Sequence, residues 1–223
     1  MEALISIGDL FKKSRDFYKK NAKIILMVCG IGYAPVLILY VMGFSFGMDF
    51  NGYSSLAPSR VLLFSILSLI IFAVNFWVYV SLFYIIKGDG EGSALTLKSV
   101  FFMARGKEFS LAWIILLETV CIFFGLILLI IPGVIFAVWF IFANQVFVFE
   151  GIKGKGALAR SKELVKGYWW PIFGRFLLFF IISAIITAIP FFGDLLNGFV
   201  IVPLCVIYFY FIYTDLKRIK AAI

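Results

Sequence analysis

Five of the polar side chains inside long apolar stretches of this sequence lie at depths where they could meet, and polar groups are costly to bury there. They are Asn75, Glu118, Asn144, Gln145 and Arg175. Glu118 is the only ionisable residue near the middle of such a stretch. If the stretch crosses a membrane, a charged group at that depth costs about 2.5 to 3.5 kcal/mol, so an acid retained there is a candidate for contact with a proton or a solute.

Two interpretations of these five residues stay open. In the first, they are hydrogen-bonding groups that join helices, each bond contributing about 0.6 to 2 kcal/mol. In the second, they line a cavity open to the cytoplasm in a small transporter or permease subunit. Glu118 is then the carboxylate that couples to the passage of protons or of a solute.

The amino-acid composition argues against catalysis and metal binding. The chain has no histidine, which is the commonest general base and nitrogen ligand for metals. Cys29, Cys121 and Cys205 are isolated within apolar runs, so their spacing indicates neither a disulfide framework nor a metal site. The sequence therefore predicts a protein that is not an enzyme, with no catalytic residue, no metal site and no cofactor.

Membrane helices are the elements that must position these side chains. Of the 223 residues, 64% are hydrophobic and 14% are charged, whereas soluble domains average about 45 to 50% apolar and about 25% charged residues. Because a spanning helix needs about 20 apolar residues, we expect an all-α, polytopic integral membrane protein with six spans in one domain, residues 1–223. The predicted spans are 24–48, 61–86, 109–131, 133–149, 171–192 and 195–214.

The third and fourth spans are fused, because Glu118 is the only charge between residues 111 and 149. One helix over that length would measure roughly 58 Å, about twice a hydrocarbon core of about 30 Å. Pro132-Gly133 is predicted to reverse the chain, since proline lacks a backbone donor and glycine admits positive φ. The other two predicted outer connections are 49–60 and Gly193-Asp194.

The basic residues predict the orientation of the spans. Every lysine and arginine except Arg60 falls before the first span, after an even-numbered span, or at the start of the fifth span. Lysine and arginine accumulate in cytoplasmic segments. We therefore expect a multi-pass protein of the cell (inner) membrane with both termini in the cytoplasm.

Three segments before the odd-numbered spans are predicted to form amphipathic helices. They cover residues 4–20, 94–105 and 156–168. The segments align on Ser14, Ser99 and Ser161, because the residues three and four positions away on either side are mostly apolar and the residue just before each serine is basic. The sequence thus predicts three repeats of one unit, an amphipathic helix followed by a transmembrane hairpin.

Helices of this kind lie at a bilayer surface with cations directed at lipid headgroups, each cation contributing about 1 kcal/mol near an anionic leaflet. The predicted headgroup contacts are Lys12, Lys13, Arg15, Lys98, Arg105, Arg160, Lys162 and Lys166. The expected partners are membrane lipids with anionic headgroups on the cytoplasmic side. In the alternative interpretation, the helices form a cytoplasmic collar whose serines pack against the hairpins or contact a ligand.

These features favour a lipid-interacting, structural or partner-docking role at the cytoplasmic face. A second copy of the chain or another membrane protein stays open as a partner. Nucleic acid is not expected, because the cations flank bilayer segments and have a simpler electrostatic explanation in anionic lipid.

Short patterns between residues 124 and 180 carry a resemblance to a known family. They are Ile131-Pro132-Gly133, Trp139, Asn144-Gln145, Phe149-Glu150-Gly151, Ala157-Leu158-Ala159-Arg160-Ser161 and Leu164-Val165-Lys166-Gly167-Tyr168-Trp169-Trp170. This region resembles the membrane domain of bacterial glycerophosphoryl diester phosphodiesterases and related uncharacterised multi-spanning families. In the phosphodiesterases, the hydrolase is a separate soluble domain that uses acidic and histidine residues. The resemblance therefore implies a freestanding membrane module and transfers no catalytic residue to this chain.

Overall fold

The structure, a computed structural model, describes residues 4–45, 58–93, 95–189 and 192–221. These residues are helical apart from short connections and contain no strand. Five helical stretches are long and apolar enough to cross a membrane, and a sixth is obtained if the first helix and the start of the second, bent by 80°, count as one span. The prediction of an all-α, multi-pass membrane protein is confirmed.

The helices follow the predicted order of three units. The first unit contains α1 (Ile7–Lys20), α2 (Ala22–Ser45) and α3 (Pro58–Gly90). The second contains α4 (Leu97–Ala104), α5 (Glu108–Leu128), α6 (Ile130–Phe140) and α7 (Ala143–Glu150). The third contains α8 (Lys155–Val165), α9 (Trp169–Thr187), α10 (Gly193–Leu196), a π-helical turn (Asn197–Ile201) and α11 (Val202–Ala221).

Each of the short helices α1, α4 and α8 packs on a long helix of another unit, so that contacts run from the first unit to the second, to the third and back to the first. Helix α4 packs on α3, and α8 packs on α6 and α7, so each contacts the second long helix of the preceding unit. Helix α1 packs on α11, the second long helix of the last unit. We call the end of the bundle formed by α1, α4, α8 and the last turns of α3, α7 and α11 the basic end.

Part of the apolar side of each short helix is covered by the protein itself. Leu10 and Ser14 are buried on α1, as are Val100 and Ala104 on α4. Helix α8 buries five residues, among them Ser161. These helices therefore pack on the hairpins, as the collar interpretation expects. Helices α1 and α8 present mainly charged side chains to the outside, whereas α4 exposes Phe101 and Phe102 beside Lys98.

The turn between α5 and α6 lies at Leu129, so its prediction at Pro132-Gly133 is wrong by a few residues. Leu129 is extended, with φ −168° and ψ 149°. Pro132 lies in the first turn of α6, where a missing backbone donor breaks no helical hydrogen bond. Gly133 serves close approach, since a Cβ there would lie 2.5 Å from the Leu126 side chain.

The last outer connection also comes earlier than predicted. Helix α9 ends at Thr187, and Gly193 and Asp194 already belong to α10. A Cβ on Gly193 would lie 2.5 Å from the Ile186 carbonyl oxygen, so this glycine too permits a close approach of two backbones. Residues 49–57 of the predicted connection 49–60 lie outside the described residues, and residues 58–60 begin α3.

Candidate functional site

Tyr79 bonds one of the predicted polar residues within the bundle. The sequence analysis did not identify this tyrosine. Asn144 Nδ2 donates a hydrogen bond to Tyr79 Oη at 3.4 Å. One signal was available, because Tyr79 follows Asn75 by four residues and so shares its helical face.

Asn75 joins two helices near Tyr79. Its Nδ2 donates to the Gly32 carbonyl oxygen of α2 at 3.3 Å and to the Ile71 carbonyl oxygen at 3.0 Å. Asn75 and Tyr79 also line a cavity of about 180 Å³ between α2, α3 and the π-helical turn. Asn75 is therefore an interhelical contact at the edge of a small polar space.

Several polar atoms of this region lack partners among the described residues. They are Glu118 Oε1, Asn144 Oδ1 and Gln145 Oε1. Asn144 and Gln145 are buried, and Glu118 is half-buried. A buried polar atom without a hydrogen bond is costly. These three acceptors therefore leave the region able to bind a proton or a small donor.

Arg175 bonds backbone carbonyl groups of its own helix and of the segment before α1. Its Nη1 donates to the Pro171 carbonyl oxygen at 3.0 Å, and its Nη2 donates to the Ile5 carbonyl oxygen at 2.9 Å. The backbone N–H of Ile5 donates to Asp215 Oδ2 at 2.9 Å. Arg175 thus holds the segment before α1 against α9, and Asp215 holds it against α11. Within the described residues, no hydrogen bond joins Arg175 to the other four residues of the predicted cluster.

Three acids form contacts at the basic end that the sequence analysis missed. Asp89, Glu150 and Asp215 lie near the ends of α3, α7 and α11. Their ion pairs are Lys20 with Asp89 at 2.8 Å, Arg160 and Lys217 with Glu150 at 3.2 and 3.5 Å, and Arg218 with Asp215 at 2.8 Å. The acids at the ends of α3 and α7 hold the short helices α1 and α8 to the long ones.

Ser161 supports a break in the span that contains α6 and α7. The predicted span 133–149 was continuous, but the helix is interrupted at Ile141 and Phe142. Ser161 Oγ donates to the Trp139 carbonyl oxygen at 2.7 Å and accepts from the Phe142 backbone N–H at 3.1 Å. Since backbone groups in a membrane must find partners within the protein, this serine satisfies two groups that the break releases.

Of the eight predicted headgroup cations, all except Arg160 are exposed. Arg160 instead pairs with Glu150 at 3.2 Å and Glu163 at 3.3 Å. Partial burial lowers the pKa of Arg160, but the hydrogen bonds and charges of Glu150 and Glu163 outweigh it and raise the pKa above its ordinary value. Lys162 lies over the Trp139 ring, 4.0 Å from its centroid.

Within the described parts of the chain, no three side chains of histidine, cysteine, aspartate or glutamate come together as a metal site. No family model, curated protein or solved structure matches the chain. The resemblance to the phosphodiesterase membrane domain stays a prediction. The arrangement of residues is thus the basis for a functional proposal.

Proposed function

We propose that this chain is a non-enzymatic protein of the cell (inner) membrane whose basic end faces the cytoplasm and binds anionic lipid. The observation that best supports this proposal is that each short helix has one side buried against the bundle and another side exposed. Each short helix buries part of its apolar side against the bundle, and seven of the eight predicted headgroup cations are exposed. Cations held beside a charged leaflet contribute about 1 kcal/mol each, so the collar would recruit anionic lipid around the protein.

The family resemblance is part of this proposal, and contacts between its residues support it. Trp139 and Ser161 share a hydrogen bond, and Glu150 and Arg160 share an ion pair. The residues that carry the resemblance therefore support one another structurally. This fits a pattern that maintains the fold of a membrane module.

Lipid selectivity tests the proposal. The protein is reconstituted into bilayers that contain brominated phosphatidylglycerol or brominated phosphatidylcholine, and quenching of tryptophan fluorescence gives the relative affinity for the two lipids. We expect a preference for phosphatidylglycerol of about threefold or more, which falls in a Lys12→Gln/Lys13→Gln/Arg15→Gln variant. Arg60→Gln is the matched control, because Arg60 is the one cation predicted at the other end. Equal quenching by both lipids in the unmodified protein contradicts the proposal.

Thiol labelling tests the orientation. Single cysteines replace Lys98 and Lys162 in a background without the three natural cysteines, and a membrane-impermeant reagent is applied to cells and to inverted vesicles. We expect both positions to react only in inverted vesicles. Reaction of one position in each preparation places α4 and α8 on opposite sides and excludes a single cytoplasmic collar.

A second candidate is proton-coupled transport, favoured by the half-buried Glu118, whose Oε1 has no hydrogen-bond partner among the described residues. If Glu118 carries protons, Glu118→Gln abolishes proton flux into proteoliposomes that contain a pH-sensitive dye. Glu108→Gln, near the basic end of the same helix, is the control and keeps the flux. Flux that is absent from the unmodified protein, or unchanged in Glu118→Gln, rules out this candidate and leaves Glu118 as a helix contact.

A further inference from the structure

A cleft of about 330 Å³ opens at the basic end between the first and second units. It lies where α3 and α7 end and where α4 leads into α5. Three lysines line it, Lys87, Lys107 and Lys153. They are distinct from the eight cations predicted to contact headgroups.

The charge of the cleft is only partly balanced. Lys87 Nζ donates a hydrogen bond to the Val148 carbonyl oxygen at 3.0 Å, so its ammonium group is held in place with two protons left to donate. Lys107 and Lys153 are exposed and form no ion pair with the described residues. Glu91 is the one carboxylate that lines the cleft, and Glu108 follows Lys107 in the chain.

The walls of the cleft are apolar as well as cationic. Tyr84, Met103 and Phe147 line it together with the lysines. A small hydrated anion gains little from an aromatic and thioether wall, whereas an amphiphile places its charged group on the cations and its apolar part on the wall. The volume suits a headgroup with the first part of its chains, at the lower limit of typical ligand sites.

We propose that this cleft binds one phosphate group, presented by an anionic phospholipid, with Lys87, Lys107 and Lys153 as its ligands. Lysine ammonium groups bind phosphate as point charges and do not need a planar partner. The lipid source of the phosphate rests on the proposed function, but the phosphate chemistry of the cleft does not. A soluble phosphate compound is the other source of the same group.

Native mass spectrometry of the detergent-purified full chain tests the inference. The protein is titrated with phosphatidylglycerol, with phosphatidylcholine and with inorganic phosphate. The test variant is Lys107→Gln/Lys153→Gln, because neither side chain makes a hydrogen bond or ion pair within the described structure and the fold should be kept. Lys19→Gln/Lys155→Gln is the matched control, since both lysines are exposed and outside the cleft.

We expect one tightly retained phosphatidylglycerol, bound at least about tenfold more weakly by the test variant and within about twofold of normal by the control. Displacement of the lipid by inorganic phosphate, with the same loss in the test variant, supports the phosphate site and assigns a soluble source. Equal binding by both double variants overturns the inference.

The Lys12→Gln/Lys13→Gln/Arg15→Gln variant separates this inference from the proposed function. If the collar does not recruit anionic lipid, this variant behaves normally while the cleft variant still loses its single phosphate ligand. If the cleft is not a site, the cleft variant retains the lipid while the collar variant loses its selectivity. The two failures therefore give different results.

Discussion

Helices α8 and α1 are the short first helices of their units. Each donates a side-chain hydrogen bond to the backbone of a neighbouring helix, but from a different position. In α8, Ser161 bonds the Trp139 carbonyl oxygen and the Phe142 N–H across the break between α6 and α7. In α1, the aligned Ser14 is buried, but its Oγ has no partner among the described residues. Tyr18 of α1 instead donates from its hydroxyl to the Phe199 carbonyl oxygen at 2.8 Å.

The difference follows from where the neighbouring helix is irregular. Phe199 lies in the π-helical turn before α11, whereas α11 itself is regular from Val202 onward. An interrupted or irregular helix offers backbone groups that are free to bond a neighbouring side chain. Ser14 therefore contributes its small size, which allows close packing, and the longer Tyr18 reaches the irregular turn.

Ser99 of α4 gives a third outcome. Its hydroxyl accepts from the Thr96 backbone N–H at 2.9 Å, and its own N–H donates to Thr96 Oγ1 at 3.1 Å, which forms a capping box. This serine supports its own helix. The aligned position is thus small and polar in all three units, but the local backbone determines its bond.

Among the substitutions that test the difference between α8 and α1, removal of the Ser161 hydroxyl should lower the free energy of unfolding most. Ser161→Ala leaves the Trp139 carbonyl and the Phe142 N–H without their buried partner, so we expect the free energy of unfolding to fall by about 2 to 4 kcal/mol. SDS titration of the protein in mixed micelles, followed by tryptophan fluorescence, measures this change. A loss below about 1 kcal/mol shows that the break does not depend on this serine.

Glu150 provides a second test of how α8 is held in place, because its carboxylate contacts residues of both α8 and α11. Its carboxylate accepts from Tyr213 Oη at 2.8 Å and pairs with Arg160. Glu150→Gln weakens both contacts, and we expect a loss of about 2 kcal/mol in the same titration. Glu163→Gln is the matched control, since the Glu163 side chain is 68% exposed and its pair with Arg160 should contribute under about 0.5 kcal/mol. Equal losses contradict this assignment.

Tyr18 tests whether α1 supports the π-helical turn. Tyr18→Phe removes the bond to the Phe199 carbonyl oxygen and keeps the ring, so we expect a loss of about 1 kcal/mol. Amide hydrogen exchange should also increase in the turn Asn197–Ile201. Tyr210→Phe is the control, because the Tyr210 hydroxyl makes no hydrogen bond within the described residues. Unchanged exchange in Tyr18→Phe refutes this role.

Ser14 should give the smallest effect. Ser14→Ala removes a buried hydroxyl that has no partner, so the protein should keep its stability or gain up to about 1 kcal/mol. SDS titration beside Ser161→Ala provides the direct contrast. A loss comparable to that of Ser161→Ala would reveal a bond to Ser14 and remove the distinction between the two helices.

Much of the architecture could be predicted, because apolar length and charge placement are local properties of the chain. The long apolar stretches became helices, and the segments around Ser14, Ser99 and Ser161 became the short helices. Their ends were less accurate. The turn moved to Leu129 because Pro132 is tolerated in a first helical turn and Gly133 is needed for close packing.

The candidate site was predicted only in part. The sequence identified Asn75 and Asn144 as polar residues that could join helices, but Tyr79, which accepts a bond from Asn144, was not distinguished from the many other aromatic residues. Arg175 was grouped with the two asparagines by depth, although it bonds the Pro171 and Ile5 carbonyl oxygens. Depth along a helix is readable from sequence, but the direction in which a side chain points depends on helix rotation.

The sequence by itself determined that lipid is the solvent of this chain and that its cations accumulate at the short helices and helix ends, because hydrophobic length and charge are additive along the chain. Only the tertiary structure decided which helix each short helix covers, which serine bonds a broken backbone, and which lysines share a cleft. Those outcomes depend on free backbone groups and side-chain directions, which exist only once the helices have packed.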